Sequence, residues 1–552
     1  MSLYGKKWLI LNENQDQETF QKVLENRQLL EVKDIPDFYD PFLFKGMEKS
    51  ILRIKNAIAN NEKIVVFGDY DVDGISAATI LIKTLKKINA DVICRLPNRV
   101  NDGYGLSIKF IDSFVEEKAS LVITVDCGIS CIKEVEHAAA NNIDVIITDH
   151  HTIPELLPEK AHAILHPKLD DIYPFKELTG AGVALKLAQA IIQEYKIDDE
   201  KLKDEIVNLA TLGTVADLGI LQDENRLIVK KGLKNMVNTS SAGLKRIMEL
   251  AEIKDNYELD THAIGFKIAP RINAAGRIGD PYVALKLLLL DDYDESALTL
   301  GNELEDLNSK RKNITEEILK QTEIMFGDKE NLPCVLIAED SGWHIGVLGL
   351  VAGKLAERYG RPSIVMQDFG ETLVGSARSI RGFNITDALS NISDVLISFG
   401  GHAKAAGFNL EKKNLEAFKE KFIAYSEKTL DKDTITPILE IDCELKEQDM
   451  TFDFLNKIED LKPYGVGNED PIFHVSNIEP HFVSTVGKEN SHLKFTVYYG
   501  GKTIQVIGFY MGQFAEQVRQ HKKIDLACHM DKNTWQSKTY IQFRAVDIRG
   551  RE

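Results

Sequence analysis

Residues 60–220 alternate between short apolar runs and segments with helical spacing, and this alternation constrains the fold more than any other feature of the chain. The runs are rich in β-branched residues: KIVVFG (63–68), ADVICRL (90–96), SLVITV (120–125) and NIDVIIT (142–148). Strands that are apolar on both faces are typical of a parallel sheet covered by helices on both sides. In such sheets ligands bind at the edge formed by the carboxyl ends of the strands.

The rest of the chain predicts three further parts. Residues 294–326 contain no proline and keep apolar residues at helical spacing, which indicates a long connecting helix. Residues 333–425 alternate between strand and helix patterns again. From about residue 436, short strand patterns and a Gly500-Gly501 hairpin signal favour an OB-fold. The predicted class is therefore α/β: two α/β domains with parallel-type sheets, joined by a long helix and followed by a small β-barrel.

Composition narrows the functional class. The chain has 552 residues and a net charge of −18. This charge argues against a protein that coats nucleic acid through its overall charge, but it is compatible with a local basic groove. Its six cysteines are scattered without a CxxC pair, as expected in a reducing compartment. No apolar run approaches the ~18 residues that span a bilayer. We therefore expect a cytoplasmic protein with no membrane partner.

Acidic residues and histidines follow the predicted strands at the points where the strands end. The set comprises Asp69, Asp71, Asp73, Asp126, Asp149, His150, His151 and, after a later apolar run, Asp217. A lone aspartate at such a place is ordinarily a helix cap or a turn residue, but independent turns need not converge on one sheet edge. Carboxylates with one or two imidazoles and no thiolate favour Mn²⁺ or Mg²⁺ over a structural zinc ion. The sequence therefore predicts a divalent-metal site.

Four motifs at this edge resemble those of the DHH phosphoesterase superfamily: DYDVDG (69–74), VDCG (125–128), TDHH (148–151) and GTVAD (213–217). Superfamily members hydrolyse phosphoester bonds with two divalent cations. The resemblance thus implies two cations here, with Mn²⁺ preferred and Mg²⁺ as the second choice. It implies as metal ligands Asp71, Asp73, Asp126, His150 and Asp217, with Asp126 bridging both ions. His151 is expected to contact the scissile phosphate.

The role of Asp69 stays open at this point. Many superfamily members carry a ligand histidine at the position that Phe67 occupies in this chain. Asp69 either supplies the missing ligand or contacts the residues that bind the metal without binding it itself.

Further motifs resemble the RecJ family of bacterial single-stranded-DNA-specific exonucleases, from about residue 40 to near the end. They are GWHIGVLGLVAGKLAERYGRPSIV (342–365), GSARSIRGFNI (375–385), SFGGHAKAAGF (398–408) and LKPYGVGNEDPIF (461–473). The resemblance implies a 5′→3′ exonuclease that releases 5′-mononucleotides from single-stranded DNA in recombination and repair. The candidate substrate-binding residues are His151, Arg271, Arg277, Ser376, Arg378, Arg381, Gly400, Gly401 and His402.

With the family's domain names, we expect five parts along the chain. They are an N-terminal segment (1–45), a DHH catalytic domain (46–225), a helical region with the connecting helix (226–328), a DHHA1 substrate-binding domain (329–430) and an OB-fold-like domain (431–552).

Partners follow from the resemblance as well. We expect single-stranded DNA as substrate and, by resemblance only, a single-strand-binding protein and a RecQ-type helicase as partners, with a monomer as the default state. Two other functions stay open. A DHH hydrolase of small substrates (nanoRNA, 3′-phosphoadenosine 5′-phosphate or a cyclic dinucleotide) is disfavoured by the predicted barrel. A catalytically inactive DNA-binding scaffold is disfavoured because the chain keeps the acidic residues.

Overall fold

The structure is a computed structural model, and it describes most of the chain. The described residues are 2–29, 34–99, 102–103, 105–254, 258–327, 332–431, 435–535 and 538–551. No helix within these ranges combines the length and the apolar character that crossing a bilayer requires.

The N-terminal segment packs against the C-terminal part of the chain. It contains strand β1 (Lys7–Ile10) and helix α1 (Thr19–Asn26). β1 forms a parallel ladder with the strand that begins at Ile438. Arg27, just after α1, forms a buried ion pair of 2.5 Å with Asp442. The two ends of the chain therefore share one folded unit.

The first α/β layer contains the predicted parallel sheet. Its elements are α2 (Met47–Ala59), β2 (Lys63–Gly68), α3 (Val72–Lys87), β3 (Val92–Arg95), α4 (Ile108–Glu116), β4 (Ala119–Val125), α5 (Ile132–Ala140), β5 (Asp144–Thr148) and β6 (Ala163–Leu165). The strands lie in the order β3-β2-β4-β5-β6, and every pair is parallel. β2 agrees with its predicted bounds, and β6 is a further strand that the pattern did not indicate.

The apolar run of β2 is continuous because the sheet has a hydrophobic core on each face. Ile64 and Val66 belong to one cluster, which includes side chains of α2 and α3. Val65 and Phe67 belong to another, with side chains of α4 and α5. The Phe67 ring lies 5.0 Å from that of Phe110. Both faces of the strand are thus removed from water, which favours burial by roughly 25 cal/mol per Å² of apolar surface.

Helices make up the next part of the chain. They are α6 (Gly180–Glu194), α7 (Glu200–Ala216), α8 (Asp223–Met236), α9 (Ala242–Leu250), α10 (Thr261–Ala263), a π-helical turn (Ile264–Ile268), α11 (Ala269–Ile278), α12 (Tyr282–Leu289) and α13 (Glu295–Phe326). α13 is the predicted connecting helix. It begins after Asp294, whose carboxylate accepts hydrogen bonds from the backbone N–H groups of Ser296 and Ala297, and it ends at Gly327.

The second α/β layer requires a correction. It contains β7 (Leu336–Asp340), α14 (Ile345–Tyr359), β8 (Ser363–Asp368), β9 (Thr372–Arg378), α15 (Ile385–Asn391), β10 (Ser398–His402), β11 (Ala405–Glu411) and α16 (Leu415–Thr429). Only β7 and β8 pair in parallel, whereas the other ladders of the order β10-β11-β9-β8-β7 are antiparallel. The predicted parallel-type sheet is therefore a mixed sheet, because short turns join β8 to β9 and β10 to β11 where a parallel pair needs a crossover helix.

The C-terminal part is rich in strands, as predicted. It contains β12 (Ile438–Ile441), β13 (Cys443–Glu444), α17 (Phe452–Glu459), β14 (Phe473–Ile478), β15 (His481–Val486), β16 (His492–Tyr499), β17 (Lys502–Gly508), α18 (Ala515–Gln520), β18 (Lys523–Trp535) and β19 (Lys538–Arg551). Seven strands form a sheet in the order β13-β14-β18-β19-β17-β16-β15.

The predicted barrel also needs a correction. Among the described strands, the two edges of this sheet, β13 and β15, form no ladder with one another. β13 has only two residues, and it pairs with β14. The sheet therefore folds around its hydrophobic core without closing through backbone hydrogen bonds.

Short 3₁₀ turns complete the fold. They lie at Pro41–Leu43, Ser393–Val395, Lys412–Asn414, Glu447–Asp449, Lys488–Asn490 and Gly512–Phe514.

Candidate active site

The predicted carboxylates lie at the carboxyl ends of β2, β4 and β5. Asp69 follows β2 and is buried. Asp71 caps α3, and its Oδ1 accepts a 3.0 Å hydrogen bond from the backbone N–H of Gly74. Asp73 lies in the first turn of the same helix, where the helix dipole stabilises negative charge. One strand-to-helix turn thus directs three carboxylates to the same edge.

The N-terminus of α6 holds Asp73 in place. The backbone N–H groups of Gly180 and Ala181 donate hydrogen bonds of 2.7 and 2.9 Å to its two carboxylate oxygens. A side chain at position 180 would meet Asp126, because a Cβ atom there would lie 2.5 Å from Asp126 Oδ1. Glycine at position 180 therefore leaves room for the side chains of both Asp73 and Asp126 at the start of α6.

Asp126 follows β4 in a left-handed backbone conformation, with φ of 58°. This conformation is uncommon for a residue other than glycine and is found at functional sites. A 3.0 Å hydrogen bond from the Asp126 N–H to the Thr148 carbonyl oxygen fixes it between β4 and β5. Its side chain is 4% exposed, so the carboxylate lies at the bottom of the site.

His150 brings the carboxylates of three elements together. Its Nε2 lies 3.1 Å from Asp126 Oδ1, 3.6 Å from Asp217 Oδ2 and 3.8 Å from Asp73 Oδ2. Asp217 follows the last residue of α7 and is the most exposed of the three carboxylates. We call Asp69, Asp71, Asp73, Asp126, His150 and Asp217 the acidic centre.

The ligand atoms of the acidic centre fall into two main groups, in each of which they lie within 4.8 Å of one another. One group is Asp69, Asp71 and Asp126, and the other is Asp73, His150 and Asp217. Asp126 also groups with His150 and His151. Asp69 therefore lies among candidate ligands, and Asp126 lies between the groups, where a bridging ligand is needed. Phe67 cannot replace the histidine ligand, because its side chain has no polar atom. Its ring is fully buried in the core on the α4 side of the sheet.

The acidic centre is electrostatically costly without a cation. Burial, reinforced by the Asp71 charge, raises the pKa of Asp69 to about 8 and that of Asp73 to about 7. Burial and the charge of Asp73 raise the pKa of Asp217 to about 8. The pKa of Asp126 is also well above its usual range, because it is buried and surrounded by the other carboxylates.

Three buried polar atoms of the centre have no hydrogen-bond partner among the described residues: Asp69 Oδ1, Asp126 Oδ1 and His150 Nε2. Buried polar atoms are nearly always hydrogen-bonded or bound to a metal. Burial lowers the pKa of His150 to about 3, which leaves its imidazole neutral and able to ligate. Hard oxygen donors with one imidazole suit Mn²⁺ or Mg²⁺. The donor set therefore fits two divalent cations.

Asp149 is buried but supports a neighbour. It accepts hydrogen bonds from the backbone N–H groups of Ile129, His150 and His151, and from Nδ1 of His151 at 2.8 Å. Burial alone would raise the Asp149 pKa, but these hydrogen bonds outweigh it and lower the pKa to about 2. Burial would likewise lower the His151 pKa, whereas Asp149 raises it to about 9. His151 is thus held as a hydrogen-bond donor.

The acidic centre opens into a cleft of about 960 Å³ between the two α/β layers. The residues that line this cleft include Asp69, Tyr70, Asp71, Arg99, His151, Asn273, Arg277, Gly400, Gly401 and His402. The structure therefore brings the strand-end motifs of the first sheet and the Gly400-Gly401-His402 motif of the second sheet to one cavity.

Two guanidiniums line this cleft, those of Arg99 and Arg277. Arg378 is near enough for its positive charge to contribute to lowering the pKa of Arg277. We call Arg99, Arg277 and Arg378 the arginine group. Arg378 lines a separate cavity of about 610 Å³ and donates a 3.2 Å hydrogen bond to Ser376 Oγ. Burial and the charge of Arg99 lower the pKa of Arg277 to about 10, and they also lower the pKa of Arg378. None of the three forms an ion pair with a carboxylate in the described part of the chain.

Two predicted substrate-binding arginines lie in other surroundings. Arg271 Nε lies 2.5 Å from Glu305 Oε2 of α13, and its guanidinium also donates to the carbonyl oxygens of Lys267 and Leu250. Arg381 lies 2.6 Å from Glu440 and is mostly exposed. Both guanidiniums therefore have partners within the protein.

Sequence reasoning missed Arg99 and Asn273. Arg99 follows β3, and its Nε donates a 3.1 Å hydrogen bond to the Tyr70 hydroxyl oxygen while its guanidinium lies 4.8 Å from the centre of that ring. Its position just beyond the carboxyl end of a parallel strand is a signal that could have found it. Asn273 carries no comparable signal, since it reaches the cleft only through the packing of α11.

Comparison with known proteins identifies the family. The family models that match are the DHH family N-terminal domain at residues 63–214, the DHHA1 domain at 332–428 and the RecJ OB domain at 441–547. The single-stranded-DNA-specific exonuclease RecJ of Escherichia coli is 33% identical over 522 residues, which are 90% of this chain and 89% of that protein. The chain belongs to the RecJ family. The predicted family and the predicted OB domain are thereby confirmed.

Other RecJ proteins extend the match. RecJ of Bacillus subtilis is 37% identical over 94% of this chain, which spans 65% of that relative's length. The crystal structure of Thermus thermophilus RecJ in complex with Mn²⁺ matches with a TM-score of 0.83 and 27% identity, over 99% of this chain and 80% of that one. The corresponding complex with Mg²⁺ matches with a TM-score of 0.78 and 26% identity, over 99% and 79%. The α/β fold class is confirmed.

Proposed function

We propose that this RecJ-family chain degrades single-stranded DNA from its 5′ end and releases 5′-mononucleotides, in DNA recombination and repair. The observation that carries the proposal is that carboxylates of the acidic centre and two residues of the arginine group, Arg99 and Arg277, line one cleft. The acidic centre offers two sets of cation ligands, and the arginine group offers guanidiniums that form no ion pair with the residues that the structure describes. A phosphodiester together with divalent cations satisfies both.

The two ligand groups assign the metal-binding residues. Asp69, Asp71 and Asp126 would hold one cation, and Asp73, His150 and Asp217 the other, with Asp126 shared. Mn²⁺ is the preferred ion and Mg²⁺ the second choice. When bound, the cations act as Lewis acids that activate water and offset the negative charge of the phosphate.

The remaining residues of the cleft bind and orient the strand. His151, fixed by Asp149, donates a hydrogen bond to an oxygen of the scissile phosphate. Arg99, Arg277 and Arg378 bind phosphates, and Ser376, Gly400, Gly401 and His402 complete the proposed binding surface. We leave Arg271 and Arg381 out of this set, because Glu305 and Glu440 already satisfy their charges.

The charge distribution supports a single strand as substrate. The net charge of −18 repels nucleic acid from the outer surface, whereas the arginine group attracts phosphates to the cleft. A flexible strand can follow such a confined path. We further propose that the protein acts as a cytoplasmic monomer. The proposed partners are a single-strand-binding protein and a RecQ-type helicase, which rest on the family resemblance alone.

A four-substrate assay tests the function. A 5′-labelled single strand, a 3′-labelled single strand, a blunt duplex and a dinucleotide are each incubated with the protein and Mn²⁺. We expect immediate release of label as mononucleotide from the 5′-labelled strand, progressive shortening of the 3′-labelled strand and little attack on the duplex. Attack from the 3′ end would refute the proposed polarity. Preference for the dinucleotide would favour the small-substrate hydrolase, and no hydrolysis at all would favour the inactive scaffold.

A further inference from the structure

A second, apolar cavity adjoins the acidic centre. Its volume is about 400 Å³, and its lining includes Val215, Leu218, His262, Phe266, Tyr464 and Val466. Residues at the end of α7 contribute to both cavities, since Ala216 lines the cleft while Val215 and Leu218 line the apolar cavity. Asp217 of the acidic centre lies between Ala216 and Leu218 in the chain. The direct neighbours of a proposed metal ligand therefore line both cavities.

An exposed aromatic pair forms one wall of the apolar cavity. The rings of His262 and Phe266 stack with centroids 4.5 Å apart and an interplanar angle of 23°. Phe266 lies in the π-helical turn and is 72% exposed. Such turns are rare and are frequently found at functional sites. Lys267 follows on the surface and forms no ion pair in the described residues.

The segment between α17 and β14 forms the opposite wall, and the loop after α7 and the start of α10 bind to it. The Leu221 N–H donates a 2.7 Å hydrogen bond to the Val466 carbonyl oxygen, and Thr261 Oγ1 donates one of 2.6 Å to the Tyr464 carbonyl oxygen. At the rim, Asp470 is neutralised by Arg544 at 2.6 Å and His529 at 3.2 Å. The cavity therefore lies where the catalytic and C-terminal parts are held together.

We propose that this cavity binds an unpaired nucleobase of the DNA strand whose scissile phosphate lies at the acidic centre. The inference rests on the proposed function and adds a specificity-determining site to it. Phe266 supplies the flat ring on which a base stacks, and the aliphatic side chains enclose that base. A base in a duplex is stacked and paired, so it cannot enter without being extruded. The cavity would thus select single strands.

Substitution of Phe266 tests the site. Base stacking on one aromatic residue predicts a loss of strand affinity of roughly tenfold for Phe266→Ala, with recovery in Phe266→Tyr. Affinity is measured with a 5′-phosphorylated oligothymidylate in Ca²⁺, and degradation is measured in Mn²⁺. Phe369→Ala is the matched control, because Phe369 is 53% exposed at the β8–β9 turn, at the far end of β9 from Arg378.

Abasic oligonucleotides separate stacking from a structural effect. The strand is made with one abasic position, moved stepwise from the 5′ end. In the unmodified protein, we expect an abasic site at one position of the strand to weaken binding about as much as Phe266→Ala does. In Phe266→Ala, an abasic site at that same position should not weaken binding further. Equal binding of intact and abasic strands by the unmodified protein, or unchanged affinity in Phe266→Ala, would overturn the site. If the unmodified protein leaves the intact strand undegraded, the proposed function itself fails.

Discussion

The acidic centre and two residues of the arginine group line the same cleft, yet the positions of their charges differ. The carboxylates converge, with ligand atoms within 4.8 Å of one another in each group. The guanidiniums are dispersed over the loop after β3, helix α11 and strand β9. Convergent charge suits a small cation, whereas dispersed charge suits an extended anion such as a polynucleotide backbone.

The pKa values express the same contrast. Burial and neighbouring carboxylates raise the pKa of Asp69 to about 8, whereas burial and neighbouring guanidiniums lower the pKa of Arg277 to about 10. The charged forms of the carboxylates and of the guanidiniums are destabilised chiefly by burial and by neighbouring groups of like charge. In the described residues, no ion pair joins Arg277 to a carboxylate. The protein thus leaves both sets available for ligands instead of neutralising one with the other.

The largest effect should come from the shared carboxylate. Asp126→Asn removes a proposed ligand of both cations, so we expect Mn²⁺-dependent hydrolysis to fall by about a thousandfold or more. We also expect Mn²⁺ to raise the Tm of the unmodified protein more than that of the variant. Asp144→Asn is the control, because Asp144 lies at the opposite end of β5 and pairs with Arg53. Near-normal hydrolysis by Asp126→Asn would refute the two-cation assignment.

The arginine group is tested by two residues of one helix. Arg277→Gln removes a guanidinium without an ion pair, so kcat/KM should fall roughly ten- to hundredfold and the salt dependence of strand binding should lose about one unit of slope. Arg271→Gln instead breaks the ion pair with Glu305. It should lower Tm and leave the salt slope unchanged. If strand binding by both variants had the same salt dependence, the proposed distinction between Arg271 and Arg277 would be wrong.

His151 lies between the two sets and depends on Asp149. Asp149→Asn should lower kcat about tenfold, because partners that orient a catalytic imidazole have effects of this order. Stabilisation by Mn²⁺ should persist in this variant. The double variant Asp149→Asn/His151→Gln should be no slower than His151→Gln alone, since both changes remove one oriented donor. Additive losses would show that Asp149 acts by another route.

The smallest effect concerns two adjacent glycines. A Cβ atom at Gly400 meets no atom within 4 Å, whereas one at Gly401 would lie 2.3 Å from the Ala405 carbonyl oxygen and φ there is 146°. Gly401→Ala should therefore lower Tm. Gly400→Ala should leave Tm unchanged but raise KM severalfold, because the methyl group would occupy space proposed for the strand. Unchanged KM in Gly400→Ala would place the strand elsewhere.

Much of the candidate site could be predicted because its signals are local. An apolar run of six residues predicted β2, and its two-faced burial explains why the run is continuous. Since parallel strands share one edge, Asp69, Asp126 and His150 could be placed together before any contact was known. The extent of α13 was predicted as 294–326 from helical spacing without proline, and the helix spans Glu295–Phe326.

Other features required the tertiary structure. Arg271 and Arg277 belong to the same short motif. Only the packing of α11 against α13 pairs Arg271 with Glu305, whereas Arg277 forms no ion pair with the described residues. The pairing of β1 with β12 joins segments more than 400 residues apart, which no local pattern encodes. The mixed strand order of the second sheet likewise depends on which strands meet.

The sequence by itself therefore determined the chemistry of the acidic centre, because ligand type and strand-end position are properties of short segments. Only the tertiary structure decided that Asp69 lies among the proposed ligands and that Arg99 and Arg277 line the same cleft. It also decided that an aromatic pair lines a cavity together with Val215 and Leu218 of the segment that contains Asp217. These arrangements arise from contacts between distant elements, whose geometry is set by how whole helices and sheets pack.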